Sequence, residues 1–209
     1  MSYCSDLTRQ RILDCAKEEF LQVGFQAANL QTIVKAAKVT TGALYRHFKG
    51  KEELFFALVE EVYNFTLQIM ENSGDFLPNQ LPAMLDENAI ENSYQQTMVY
   101  VNYMYNHLSE FQLLLKYSAG SRVEHFLEDL TDEYVKKDMA FVRAAHAAGY
   151  VKNLPDKLDV HILTKSFLTS LCECIYHDVP CEHVGNYIHN IVMFQHYGWF
   201  GLLGIPIQK

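Results

Sequence analysis

An all-helical fold is predicted by three features of the chain. Its apolar residues recur at intervals of three and four rather than alternating, and only five prolines and ten glycines interrupt 209 residues. At 49% hydrophobic, the chain can also bury a full core. The expected division is a small helical module at 1–50, a linking helix at 51–72 and a second helical domain at 73–209.

The elements follow in order. Ile12, Ala16, Phe20 and Val23 form one stripe of a first helix, with Ser5 or Asp6 placed to cap its start and Gly24 placed to end it. Asn29 caps a short second helix carrying Leu30, Ile33, Val34 and Ala37. A third helix starts at Thr40, where Val39 and Leu44 take the two positions of a hydrophobic staple, and ends near Phe48. After Lys49-Gly50, the residues Leu54, Leu58, Val62, Phe65 and Ile69 repeat about once per turn. They predict a helix from Lys51 to Asn72, roughly 33 Å long at 1.5 Å per residue. Asp75 to Pro82, with two prolines, is the expected break. Further helices are expected near 87–107, 109–118, 121–147, 156–177 and 181–198. There is no internal repeat and no low-complexity segment.

Charge is distributed unevenly along this pattern. Residues 1–51 hold eight Lys and Arg against four acids, a net +4, so the whole-chain −8 leaves −12 for the remainder. A basic module joined to an acidic body implies that the first quarter meets a polyanion. Met1 to Arg11 has no apolar signal-like run, and no stretch of about 18 uncharged apolar residues occurs, so no membrane span is expected. Five cysteines without framework spacing fit reduced thiols in the cytoplasm.

The bases concentrate in VTTGALYRHFKGKEEL, Val39 to Leu54. Two short helices with a tight turn, the second bearing small and basic residues, fit a helix-turn-helix whose second helix enters the major groove. On its wheel Leu44 and Phe48 point inward, while Gly42, Ala43 and Arg46 lie on the opposite arc with Tyr45 and His47 flanking it. Gly42 and Ala43 permit close approach to base edges, and Arg46 has the length to reach guanine or phosphate. Lys51 occupies the first turn of the next helix, where the macrodipole disfavours a cation by about 0.3–1 kcal/mol. A DNA phosphate at that helix end reverses the sign. Glu53 stands where it can help cap the same helix.

The run GFQAANLQTIVKAAKVTTGALYRHFKGKEEL, Gly24 to Leu54, closely resembles the DNA-binding domain of the TetR family of bacterial transcriptional repressors. The matching positions are Gly24-Phe25, Asn29, Ile33, Ala37, Val39-Thr40, Gly42, Leu44-Tyr45, His47-Phe48, Lys51 and Leu54. The resemblance implies that Thr41, Gly42 and Ala43 approach bases, that Thr40, Tyr45, His47 and Lys51 hold phosphates, and that Leu44 and Phe48 are core. Asn29, also counted among the expected DNA-binding residues, stands in place of the family's usual threonine, and both residues cap well. Lys38 stands where the family has a turn glycine, which costs up to about 1 kcal/mol or requires another geometry.

For the acidic remainder, the resemblance implies a helical domain that binds a small-molecule effector and dimerises through its last two long helices. The ending YIHNIVMFQHYGWFGLLG, Tyr187 to Gly204, is similar to the end of many such domains. Met98, Tyr103, Met104 and Phe111, in the segment Tyr94 to Tyr117, would suit an apolar or aromatic effector, although such a stripe is more often plain core. The expected dimer contacts are Ile162, Phe167, Leu171 and Ile175 on one helix and Val184, Ile188, Ile191 and Val192 on the other. An alternative is a metal or thiol sensor built on Cys172, Cys174, His177, Cys181 and His183, but their spacing lacks the paired form of a structural zinc site. No glycine-rich phosphate loop, His-Glu-x-x-His or nucleophile elbow occurs. A helical enzyme is therefore the least supported class, and no cofactor or metal is expected. The combined expectation is an all-α, homodimeric regulator of a palindromic double-stranded operator.

Overall fold

The computed structural model describes residues 2–72, 81 and 88–206, with side chains described from Ser5 onward. Among these residues the regular elements are helical: α1 Ser2–Ala27, α2 Leu30–Ala36, α3 Thr41–His47, α4 Lys51–Asn72, α5 Ala89–Asn106, α6 Leu108–Lys116, α7 Phe126–Ala147, α8 Lys157–Tyr176 and α9 Val184–Leu203. A 3-10 turn, Cys181–His183, precedes α9. The break expected at Asp75 to Pro82 lies outside the described residues except for Leu81. The chain forms two compact units, one of Met1–Thr66 with His107–Phe126 and one of Leu67–Asn106 with Leu127–Lys209.

In the first unit, Ile12, Ala16 and Phe20 of α1 are fully buried, as their spacing requires, but Val23 is 44% exposed. Burial passes instead to Phe25, beyond a break in the helix. At Gly24 the backbone takes φ 74, ψ 167, a combination open essentially to glycine alone. The helix does not begin at Ser5 or Asp6, because nothing upstream of them forbids helical dihedrals and it continues back to Ser2. The break at Gly24 frees the Phe25 N–H to donate to the Tyr117 carbonyl at 2.8 Å. Phe25 and Phe20 then meet the Phe55 ring of α4 edge-on, with centroids 5.1 and 5.0 Å away.

Residues 107–126 belong to this unit rather than to the body of the chain, an association the sequence did not reveal. Lys17 pairs with Glu110 at 2.6 Å, and the Glu52 carboxylate accepts the Arg122 N–H at 3.0 Å. Phe111, Leu113 and Leu114 of α6 are buried. Phe111 thus falls in the first unit and Met104 in the second. The helix expected from 121 starts only at Phe126. Ser121 Oγ accepts the Val123 N–H, and Glu124 accepts the Gly120 N–H, so local side-chain bonds hold these residues in turns.

In the second unit α5 and α8 both pack against α9. Leu81, Val142, Ala145, Val151, Leu203 and Ile205 form one buried cluster, and Val135, Met139 and Val160 form another against Trp199. A reciprocal capping box, Asp156 with Asp159, starts α8. The last helix passes the expected end at 198 and stops where Gly204 takes φ 67, a left-handed cap.

A β-carbon at Gly24 would meet nothing nearer than the Tyr117 carbonyl at 3.8 Å, so the cost of substitution there is conformational rather than steric. Gly24→Ala is expected to lose about 1–3 kcal/mol. At about 2–4 °C per kcal/mol for a chain of this size, differential scanning calorimetry should show the melting point fall by several degrees. An unchanged melting point would mean that the break is not held by glycine.

Candidate nucleic-acid interface

Two capped helices and one strained turn build the site. Asn29 Oδ1 accepts the Gln31 N–H at 2.8 Å at the start of α2, and its own N–H donates to the Glu19 carboxylate at 3.1 Å. Thr40 Oγ1 accepts the Ala43 N–H at 3.1 Å at the start of α3. Each cap contributes about 1 kcal/mol. Between them, the Val39 N–H donates to the Val34 carbonyl and the Lys38 N–H to the Lys35 carbonyl, both at 3.1 Å. This is a Schellman ending, and it places Lys38 at the left-handed position, with φ 52.

Inside the turn, Ile33, Ala37 and Leu44 are fully buried and Phe48 is 2% exposed. Burying Leu44 and Phe48 contributes about 1.5–3 kcal/mol each and fixes the roll of α3 about its axis. That roll leaves Gly42, Tyr45 and Arg46 exposed and Thr41, Ala43 and His47 half-buried. Gly42 is not small because the protein needs the space. A β-carbon there would meet only Thr40 Oγ1, at 4.0 Å. The Thr40 oxygen accepts the cap bond, which leaves its O–H proton to donate outward.

Lys51 is engaged within the protein, in contacts the sequence did not show. Its ammonium donates to the Gln26 carbonyl at 3.1 Å and the Ala28 carbonyl at 3.2 Å, and lies 4.7 Å from the centre of the Phe25 ring. The chain just after the break at Gly24 presents carbonyls at a helix end, and a cation is their natural partner. Two of the three ammonium donors are therefore engaged inside the protein. Glu53 does help cap α4, but it accepts the Lys49 N–H at 2.7 Å rather than that of Gly50.

The cysteine and histidine residues near the end of α8 are not gathered into a site. Cys172 and Cys174 are buried while Cys181 is exposed. Burial pushes the Cys172 thiol up to about 12 and raises that of Cys174. The Cys174 thiol donates to the Leu171 carbonyl, and His177 pairs with Glu173 at 2.9 Å. Among the described residues no group of three or more His, Cys, Asp or Glu side chains could hold a metal ion. No helix among them is long and apolar enough to cross a membrane.

Residues 12–58, which include both capped helices, match the bacterial regulatory proteins of the tetR family. Over these residues the chain is similar to the TetR family. The HTH-type transcriptional regulator AcrR of Shigella flexneri is 51% identical over 53 residues, 25% of this chain and 25% of AcrR. The match thus spans about a quarter of that relative's length. Along most of the chain, the fold is similar to that of Salmonella enterica GusR, with TM-score 0.58 and 20% identity over 94% of this chain and 95% of GusR. It is also similar to the transcriptional regulator FadR from Bacillus subtilis, solved in complex with stearoyl-CoA, with TM-score 0.58 and 14% identity over 90% of this chain and 98% of FadR.

Around this site the sequence missed two features. One is the internal engagement of Lys51. The other is a pair of arginines, Arg9 and Arg122, that line a cleft beside α3 with His47 and Lys49. Arg122 lies far along the chain from the motif, so no local spacing could have pointed to it.

The departure of Lys38 from the TetR-family glycine is directly testable. A non-glycine residue in the left-handed region costs more than the unfolded-state entropy that glycine would add, by about 0.5–1 kcal/mol. Lys38→Gly should accordingly raise the melting point by roughly 2 °C. A fall on calorimetry would show that this turn is not strained.

Proposed function

We propose that the protein is a cytoplasmic, ligand-responsive regulator of transcription, a repressor that binds a palindromic operator and leaves it when a small-molecule effector binds. The observation that carries this reading is the outer face of α3. Gly42 is exposed with no internal reason to be small, beside Tyr45 at 53% exposure and an exposed Arg46. A glycine in a helix costs up to about 1 kcal/mol, which an external partner needing close backbone approach would offset. On this reading Thr41, Gly42 and Ala43 face base edges, Arg46 reaches guanine or phosphate, and Asn29, Thr40, Tyr45 and His47 hold phosphates. Lys51 chiefly fixes the frame and has one donor left for a phosphate.

A palindromic operator calls for a two-fold dimer with its reading helices about one DNA turn apart. The last two helices are proposed as the interface, through residues other than some of those expected. Ile188 is fully buried and Val192 is 4% exposed within their own protomer, so neither is free to face a partner. The outward apolar residues include Leu158 and Ile162 on α8 and Met193, Phe194 and Tyr197 on α9, with Phe194 at 72% exposure. Such a face would be covered by the same face of a second copy in a four-helix bundle. The effector is proposed to be apolar or aromatic in part, consistent with the stearoyl-CoA bound to FadR. It must bind a conformer with mismatched reading helices more tightly than the DNA-bound one.

Ala43→Asp puts an anion on the reading face while suiting the first-turn macrodipole, so the variant should fold normally. Fluorescence anisotropy on a duplex selected from a random library should show at least about a hundredfold weaker binding. Unchanged affinity would remove α3 from the interface. Ile162→Asp with Phe194→Asp should sediment as a helical monomer that no longer binds the operator tightly. A dimer at micromolar concentration would place the interface elsewhere.

A further inference from the structure

A cleft of about 620 Å³ opens at the C-terminal end of α3 and runs along the start of α4. Its lining comes from three stretches of the first unit: Arg9 of α1, His47 to Glu53 with Phe56, Ala57 and Glu60, and Arg122. Two guanidiniums are held against its aromatic surfaces. The Arg122 guanidinium lies 3.6 Å from the centre of the Phe56 ring, and that of Arg9 lies 5.2 Å from the Phe48 ring. Stacking of this kind holds the planar group in place while its N–H donors remain directed outward.

Neither guanidinium has a carboxylate within ion-pair distance among the described residues. The nearby acids are engaged otherwise. Glu52 accepts the Arg122 backbone N–H, and Glu53 accepts that of Lys49. Glu60 is exposed at the far end of the lining. Arg9, Lys49 and Arg122 are therefore exposed cations with donors to spare beside a helix end.

We propose that Arg122, with Arg9 and Lys49, forms a phosphodiester-binding clamp that extends the duplex contact beyond the helix-turn-helix. This proposal rests on the reading of α3 as the groove-binding helix. A helix of seven residues is about 10.5 Å long, close to the width of the major groove at about 12 Å. A helix that short, seated in the groove, brings the elements at its end up to a flanking sugar-phosphate strand. The cleft lies at that end. An arginine fork binds phosphate oxygens through paired N–H donors and carries no base information, so the clamp adds affinity without sequence preference.

The test is the salt dependence of duplex binding. Each lost phosphate contact should lower the slope of log K against log salt by about 0.9, equally on selected and random duplexes. Arg122→Gln should show this loss, and Arg122→Lys, which keeps the charge, should retain most of the slope. Arg143→Gln, an exposed arginine of the second unit, controls for net charge and should change little. An unchanged slope in Arg122→Gln, or an equal loss in Arg122→Lys, would overturn the proposal, the latter by assigning the effect to packing on Phe56. Saturable binding of inorganic phosphate at fixed ionic strength, lost in Arg122→Gln without any change in the duplex slope, would make the cleft a small-anion site and overturn it too. Failure of the wild-type protein to prefer any duplex would instead sink the reading of α3.

Discussion

The geometry of the first unit depends on the break in α1 at Gly24. One residue with φ 74 and ψ 167 turns the chain so that Phe25 donates to Tyr117 and the carbonyls of Gln26 and Ala28 face the ammonium of Lys51. Three distant stretches meet at that joint. Lys51 is the first residue of α4, and the rings of Phe20, Phe25 and Phe55 close over the same place. With α4 fixed at its start, the buried Leu44 and Phe48 have one way to pack, and the outer face of α3 follows.

The polar groups around α3 fall into two sets. Asn29 Oδ1, Thr40 Oγ1, Glu53 and Lys51 are engaged within the protein at helix ends that would otherwise be left unpaired, and Glu52 accepts the Arg122 N–H. The side chains of Tyr45, Arg46, Lys49 and Arg122 point outward and carry hydrogen-bond donors. Separating the sets in this way gives a rigid scaffold with an exposed, donor-rich edge, the feature on which the proposed duplex contact rests.

How much of this was legible in the sequence depended on range. The caps at Asn29 and Thr40, the stop at Gly24 and the span from Lys51 to Asn72 are local chemistry, and the structure has them where spacing predicts. The unusual turn at Lys38 was legible only through the family resemblance, which has glycine at that position. Residues 107–126 joining the first unit was not, because the contacts that hold them there, Lys17 with Glu110 and Phe25 with Tyr117, leave no periodic trace. Periodicity also marks an apolar residue without saying what buries it. Ile188 and Val192 are covered by their own protomer, whereas Phe194, on the same helix, is not. Lys51 illustrates a related limit: its position at a helix start is evident, but its bonds to the Gln26 and Ala28 carbonyls are set in three dimensions.

The most direct measurement of the central claim is amide hydrogen exchange of the protein with and without its selected duplex. Amides from Thr40 to Lys51 should exchange more slowly in the complex, because α3 and the start of α4 then face the groove and its flanking strand. Protection confined to the stretch from Lys157 to Leu203, with Thr40 to Lys51 unchanged, would contradict the assignment of α3 as the DNA-reading element.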